Sequence, residues 1–411
     1  MRKLFYIIPF FMVFAAASAR GEYLPTNADF LRTLNRNASV GSIDSVFFNP
    51  AGSMRLTDGL YFHVGNQFDI FYQKTEESGQ KASAIGVLAA MPDFAMLMTR
   101  AGYAFFFTID NTASTRIMRH NVEVYDPAGT TTLTANKSTY LLQWVEATLG
   151  GAYAFNDYIS LSFGLRLLMP IGYTHLDVDT TAGDTAAYHD FFVGYGFGAQ
   201  ASLLFTPIKP LAISVMYKTE SAAATSHFVS KDDNSVLSTL PENNYNGLML
   251  YPAQLRTGIA YTFGENFSLE GNFNLIFEQE RDFFPVGGTL QPAFGGNGFG
   301  MQAGLGFDWR IMPSLTWGLG ALFSFNNKNY DSFDNSSNSM VTPQVMTGRY
   351  NEVLAGTGFS INFENNVRLK LSLAVPLMLG TPSGALYLQP KVNVGVSFAL
   401  TDIFQSSHPA V

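Results

Sequence analysis

Ile159-Ser160-Leu161-Ser162-Phe163-Gly164-Leu165-Arg166-Leu167-Leu168-Met169 places large apolar residues at every second position, with serine, glycine and arginine between them for most of its length. A repeat of two is that of a strand with one oily and one polar face. The pattern recurs outward from this stretch. Phe267, Leu269, Phe273, Leu275 and Phe277 alternate with Ser268, Glu270, Asn272, Asn274 and Glu278. Val367, Leu369, Leu371, Leu373 and Val375 alternate with Arg368, Lys370 and Ser372, and Val392, Val394, Val396 and Phe398 with Lys391, Asn393, Gly395 and Ser397.

Composition says what the oily face meets. Charged residues are 14 % of the 411, aromatics are also 14 %, and phenylalanine alone numbers 37; a soluble protein carries about 25 % charge. No stretch after Ala19 approaches the run of roughly 18 apolar residues that marks a membrane helix. A chain this apolar without membrane helices predicts a closed β-barrel, the other structure that satisfies every backbone group inside lipid. A soluble sandwich would need a second apolar layer against these strands. Residues 1–19 read as a secretory signal: Arg2 and Lys3, the apolar run Leu4 to Ala16, then Ala17-Ser18-Ala19. The net charge of −8 becomes more negative once Arg2 and Lys3 leave, so nucleic acid is excluded as a partner. There is no cysteine, hence no disulfide and no lipid-anchored cysteine.

Reading period and turn chemistry together gives an all-β, transmembrane antiparallel barrel of about fourteen strands over 59–400. They begin near Gly59, Ser83, Gly102, Tyr140, Tyr158, His189, Leu211, Pro252, Phe267, Gly298, Ser314, Val353, Val367 and Ala385. Asn156-Asp157, Thr206 to Pro210, Gly264 to Asn266, Ile311 to Pro313 and Glu364 to Asn366 read as tight turns. Asn111 to Ser138, His175 to Tyr188, Phe228 to Leu248, Arg281 to Asn297 and Asn326 to Asn351 read as long loops. Short periplasmic turns and long external loops mark bacterial outer-membrane barrels. Residues 401–411 form a C-terminal tail.

Residues 20–58 lack the alternation. Asn27-Ala28-Asp29 ahead of Phe30, Leu31 and Leu34 predicts an N-capped short helix, within a small segment that sits in the periplasm or folds back into the lumen as a plug. Further on, Asp44-Ser45-Val46-Phe47-Phe48-Asn49-Pro50-Ala51-Gly52 precedes the first strand. Pro50 fixes φ and biases Asn49 away from helix, while Ala51 and Gly52 permit close approach.

This segment resembles the hatch motif of the FadL family of outer-membrane long-chain fatty-acid transporters, whose core, Asn-Pro-Ala, maps onto Asn49, Pro50 and Ala51, with Gly52 following. The resemblance implies fourteen strands, an N-terminal hatch, and a ligand that passes from the external loops to a lumen pocket and leaves sideways beside a kinked third strand, around Phe106 to Asp110. The ending departs from the usual outer-membrane pattern: the last strand reaches Phe398 and Leu400 and the chain continues through Asp402 and Phe404.

Alternation assigns Glu146, Arg166, Lys218, Arg256, Glu270, Glu278, Asp308, Arg310, Arg368, Lys370 and Lys391 to the lumen, because a charge on the lipid face costs roughly 2 to 4 kcal/mol at midplane. Most read as a bracing network. Arg166, Lys218 and Arg256 are the candidates to meet a fatty-acid carboxylate, with Phe30, Leu34, Phe47 and Phe48 against its tail. The expected partners are long-chain fatty acids or other lipophiles and the outer-membrane lipid, to a monomeric barrel. A porin, or an adhesin acting through its loops, is the alternative. A lipid-hydrolysing barrel is disfavoured: only His63 falls clearly within an expected strand, without a nucleophile motif. Gly194-Tyr195-Gly196-Phe197-Gly198 lies mid-strand with no helix after it, so it reads as barrel packing and not as a nucleotide loop. No cofactor is implied and no metal spacing is present.

Overall fold

In the computed structural model the described residues are 27–77, 80–125, 132–179, 185–232, 244–277, 281–286, 289–295, 298–328, 350–363, 366–377, 386–388 and 390–401. The expected signal segment, the tail beyond 401 and Glu278 lie outside them. Strands dominate: nineteen segments close into fourteen antiparallel staves. Six continuous staves come first, β1 (Gly59–Glu77), β2 (Gln80–Arg100), β3 (Tyr103–Tyr125), β4 (Thr132–Ala154), β5 (Ile159–Asp179) and β6 (Thr185–Ile208). Four interrupted staves follow: β7 (Leu211–Lys218) with β8 (Ser221–Lys231), β9 (Tyr245–Tyr251) with β10 (Ala253–Phe263), β11 (Phe267–Phe277) with β12 (Arg281–Val286), and β13 (Thr289–Gly295) with β14 (Gly298–Met312). Then come β15 (Leu315–Lys328), β16 (Tyr350–Asn362), β17 (Val367–Leu377), and β18 (Leu386–Leu388) with β19 (Lys391–Leu400). The seam is β1 against β19, in register from Leu60↔Leu400 to Asp69↔Lys391.

The interruptions have local causes. Pro252, which separates β9 from β10, has no N–H to give a ladder. Between β7 and β8, the Thr219 carbonyl is taken by Arg166 Nη1 at 3.0 Å.

The two faces separate as the sequence requires. On β5, Phe163 and Leu165 are 57 % and 61 % exposed on the outside, while Arg166 inside is 0 % exposed. A belt of exposed Phe, Leu, Val and Tyr outside a polar interior is the surface of a barrel that lies in lipid. Among the described residues no helix is long and apolar enough to cross a membrane.

The strands outrun the expected boundaries. Most of Asn111 to Ser138 is paired strand, with Arg116 opposite Leu141 and Glu123 opposite Thr134; His175 to Tyr188 is likewise largely the β5–β6 hairpin. At 23 residues β3 is far longer than the roughly 9–11 needed to span a bilayer. Beyond the lipid, outward positions are no longer selected to be apolar, so alternation fades while backbone pairing continues. His120, His175, His189 and His227 thereby join His63 on strands. Arg310 and Arg368, expected in the lumen, lie at the turn end: Arg310 Nη2 donates to the Pro313 carbonyl at 3.3 Å, and Arg368 Nε to Asn362 Oδ1 at 2.7 Å.

Candidate functional site: the lumen between hatch and wall gap

The N-terminal segment lies within the barrel. Helix α1 (Ala28–Thr33) is capped by Asn27, whose side-chain oxygen accepts from the Asp29 N–H at 2.8 Å, and ends on Leu34 with φ 57°. A second short helix, α2 (Ser45–Phe48), leads through Asn49 into a 3-10 turn, Pro50–Arg55. Pro50 suits that first position because its missing N–H would have no intrahelical partner there. Ala51 N–H donates to Ser202 Oγ at 3.1 Å on the wall. A Cβ on Gly52 would stand 2.1 Å from the Ser39 carbonyl oxygen, so the motif needs glycine for space.

The wall is bare of side chains where the hatch backbone approaches. A Cβ on Gly320 would lie 1.6 Å from the Thr33 carbonyl oxygen, on Gly356 2.2 Å from that of Leu31, and on Gly258 2.6 Å from the Ala38 nitrogen. Beside these glycines the contacts are ionic. Arg32 pairs with Asp29 and, at 2.9 Å, with Asp308; Lys370 Nζ lies 2.6 Å from Asp29 and 2.5 Å from Asp44; Arg36 reaches Asp308 at 3.1 Å. Burial alone would push the Asp29 carboxyl up, but Arg32 and Lys370 outweigh it and hold it well below the usual carboxylate range. Burial likewise works against the charge on Arg32, and Asp29 and Asp308 overcome it, raising that guanidinium above its ordinary value. Phe30, Leu34, Phe47 and Phe48 are all buried together in the core between hatch and wall, with Phe30 stacked on Phe48 at 5.7 Å.

Above the hatch the three candidate cations converge. Arg166 Nη2 reaches Glu146 Oε2 at 2.6 Å and Lys218 Nζ reaches Glu146 Oε1 at 2.7 Å, so one carboxylate serves two cations. Arg256 donates twice to Gln254 Oε1, at 3.0 and 2.7 Å, and forms no ion pair among the described residues. All four charged side chains are buried. Their apolar neighbours are not the hatch phenylalanines but a separate cluster of Trp144, Leu168, Phe192, Ala223, Met249, Tyr251 and Ile276. Tyr251 links the two halves: its ring lies 5.6 Å from the Arg166 guanidinium carbon, and its hydroxyl accepts from Gln254 Nε2 at 3.1 Å. Alternation puts Glu146 in the lumen without tying it to the cations, and it does not single out Trp144 or Tyr251. Counting residues from the turns sets the three cations at one level, since Arg166 and Lys218 each stand seven beyond a strand start and Arg256 seven before a strand end, but it does not point to Trp144 or Tyr251.

At the same level the pairing of β2 with β3 stops. β2 pairs with β1 along nearly its whole length, from Gly59↔Thr99 to Glu77↔Gln80. With β3 it pairs only from Phe94↔Ile109 to Arg100↔Tyr103. The next two pairs in register would set Asp93 against Asp110 and Pro92 against Asn111. Pro92 lacks a donor with which to continue the ladder. On its other side β3 pairs Asp110 with Glu146 and then carries a bulge at Thr112, whose hydroxyl bonds the Trp144 carbonyl at 3.3 Å. A bulge bends its strand, so the third strand is kinked where it passes the cation cluster.

No protein-family model matches the chain, and no curated protein matches it in sequence. Solved structures do match in shape. A FadL homologue of Pseudomonas aeruginosa superposes with a TM-score of 0.68 at 10 % identity, covering 94 % of this chain and 99 % of that one. The toluene transporter TbuX of Ralstonia pickettii gives 0.61 at 13 %, covering 90 % and 98 %, and the P. putida toluene transporter TodX 0.59 at 14 %, covering 87 % and 94 %. Over nearly its whole length, the chain therefore has the outer-membrane barrel fold of a FadL homologue, in agreement with the resemblance carried by Asn49-Pro50-Ala51-Gly52.

Proposed function

We propose that this protein is an outer-membrane channel that takes up hydrophobic molecules, that its preferred ligands are long-chain fatty acids, and that they leave sideways into the membrane between β2 and β3. The observation that carries this reading is Arg256, a buried guanidinium without a carboxylate partner among the described residues, beside the aromatic cluster of Trp144, Phe192 and Tyr251. A buried cation is costly unless paired, and a lipophile ending in a carboxylate supplies the missing partner with a charge-assisted hydrogen bond. Arg166 and Lys218, already shared by Glu146, complete a positive floor. The unpaired stretch of β2 and β3 beside Asp110 offers a way out at the level of the site, without passage through the hatch.

The mature chain in this proposal begins at Arg20, with a hatch to residue 58, a barrel over 59–400, and a monomeric working unit. A hatch seated by ion pairs argues against a free-running porin. A second reading is favoured by the aromatic cluster and by the fold shared with toluene transporters: a neutral aromatic hydrocarbon could fill the same oily surface. Equilibrium binding of a fluorescent long-chain fatty acid to the refolded barrel separates the two. Displacement by palmitate but not toluene, with affinity lowered in Arg256→Ala, supports the fatty-acid reading. Displacement by toluene and indifference to Arg256→Ala moves the substrate to neutral hydrocarbons, and no binding of either overturns the channel.

A further inference from the structure

Outside the lumen, a second group of titratable side chains stands on the outer wall. On β5 the even-numbered positions from Ser160 to Gly172 are buried and face inward, so Tyr173, His175 and Asp177 share the outward face with Phe163 and Leu165. On β6 the same parity puts His189 outside with Phe191 and Tyr195, while Asp190 and Phe192 point into the lumen. His175 and His189 are direct cross-strand partners. They sit just past the apolar belt, at the loop-side rim of the wall.

The two imidazoles present the same nitrogen to each other: His175 Nδ1 and His189 Nδ1 are 3.1 Å apart, with ring centroids 4.5 Å apart. The other nitrogen of His175, Nε2, is 3.0 Å from Asp177 Oδ2. With Asp177 accepting a hydrogen bond from Nε2–H, the neutral His175 ring carries its lone pair on Nδ1. The Tyr173 hydroxyl is 2.9 Å from His189 Nδ1; if it donates, two lone pairs confront each other across the strands.

We propose that His175 and His189 chelate a single divalent transition-metal ion of the Ni²⁺ or Zn²⁺ kind on the outer face of the barrel. Two nitrogens at about 2.0–2.1 Å from a tetrahedral ion stand about 3.3 Å apart, within a few tenths of an ångström of the separation the strands impose. A carboxylate on the far nitrogen of a metal-binding histidine fixes its tautomer and raises its basicity, which is the position of Asp177. Imidazole selects Ni²⁺, Cu²⁺ and Zn²⁺ over Mg²⁺ and Ca²⁺, which prefer oxygen. No group of three His, Asp or Glu side chains among the described residues converges on one point, so the site is a two-nitrogen chelate whose remaining positions stay open to water or to phosphate oxygens at the membrane surface.

Calorimetric titration of the full refolded barrel with Ni²⁺, using Mg²⁺ as the control ion, tests this. One Ni²⁺ per chain is expected at about pH 7.5, and it is released at about pH 5 as the ligand nitrogens protonate, with no heat from Mg²⁺. His175→Ala and His189→Ala should each weaken binding at least tenfold. Asp177→Asn, which keeps both imidazoles, should weaken it roughly tenfold. His227→Ala removes an imidazole held in the lumen by Asp190 and should change nothing. Unaltered affinity in both His175→Ala and His189→Ala, or a loss as large in His227→Ala, overturns the proposal. Asp177→Asn gives an answer even where an alanine variant fails to refold.

Discussion

Asn27 Nδ2 donates to Asp93 Oδ2 at 3.1 Å, which ties the cap of the first hatch helix to the strand position just past the last β2–β3 pair. His63 Nε2 contacts the same carboxylate oxygen at 2.6 Å. Hatch seat and wall gap thus share one buried group.

Removing that group should loosen the hatch. Asp93→Ala takes one buried partner from Asn27 and from His63 and leaves them Asp44 and each other, and a lost buried hydrogen bond costs about 1–3 kcal/mol. Faster tryptic cleavage at Arg32 or Arg36 and a higher single-channel conductance are expected, with unchanged β-sheet circular dichroism. Wild-type protection in the variant would mean that the ion pairs of Arg32 and Lys370 seat the hatch without help from Asp93.

Acid should be slow to unseat it. The Asp29 carboxyl is held well below its usual value of 3.8 by Arg32 and Lys370. A carboxylate with a depressed folded-state pKa contributes stability that is fully present above the unfolded value and is lost as pH falls through the folded one. Hatch protection from protease should therefore persist as pH falls to about 4 and fail only in stronger acid. Release already near neutral pH would assign control of the hatch to some group other than Asp29.

Gly320→Ala tests the bare wall. The added methyl would fall 1.6 Å from the Thr33 carbonyl oxygen, and overpacking of this kind costs about 1–3 kcal/mol. The strain falls on hatch docking, so conductance should rise while the barrel's own resistance to urea changes little. A seated, non-conducting hatch in this variant would mean that the helix shifts to make room.

These seats also show what a sequence can and cannot reveal. The cap at Asn27, the strand periodicity and the tight turn at Asn156-Asp157 follow from local chemistry, and the structure has all three. The lumen position of the hatch does not, because it depends on Gly258, Gly320 and Gly356, far apart in the chain, each giving up a side chain to the same short segment. Arg166, Lys218 and Arg256 were legible as inward cations from parity alone. That Glu146 is the shared partner of Arg166 and Lys218 is not legible there, since convergence across staves is a matter of register and tilt. The long strands past the membrane were hidden for another reason: outside lipid, nothing forces outward residues to be apolar.

Glu146→Gln separates structural pairing from ligand recognition. Breaking a buried ion pair from one side costs about 3–5 kcal/mol because the remaining charges stay uncompensated. The variant should unfold at lower urea than wild type, and palmitate should raise its midpoint by more than it raises that of wild type, since a ligand carboxylate can replace the lost one. An equal ligand effect in both proteins would place the anion away from Arg166 and Lys218.

Asn111→Trp addresses the path out. Asn111 is buried on β3 next to the Thr112 bulge, one residue past the first level where β2 and β3 are unpaired. An indole there should fill the lower end of the gap without touching Arg166, Lys218 or Arg256. Equilibrium binding of fatty acid to the refolded variant should match wild type, while uptake into cells whose only such channel is the variant should fall at least tenfold. Binding and uptake falling together would mean that the ligand rests in the gap itself. Undiminished uptake would remove the β2–β3 opening from the mechanism and leave passage past the hatch as the route.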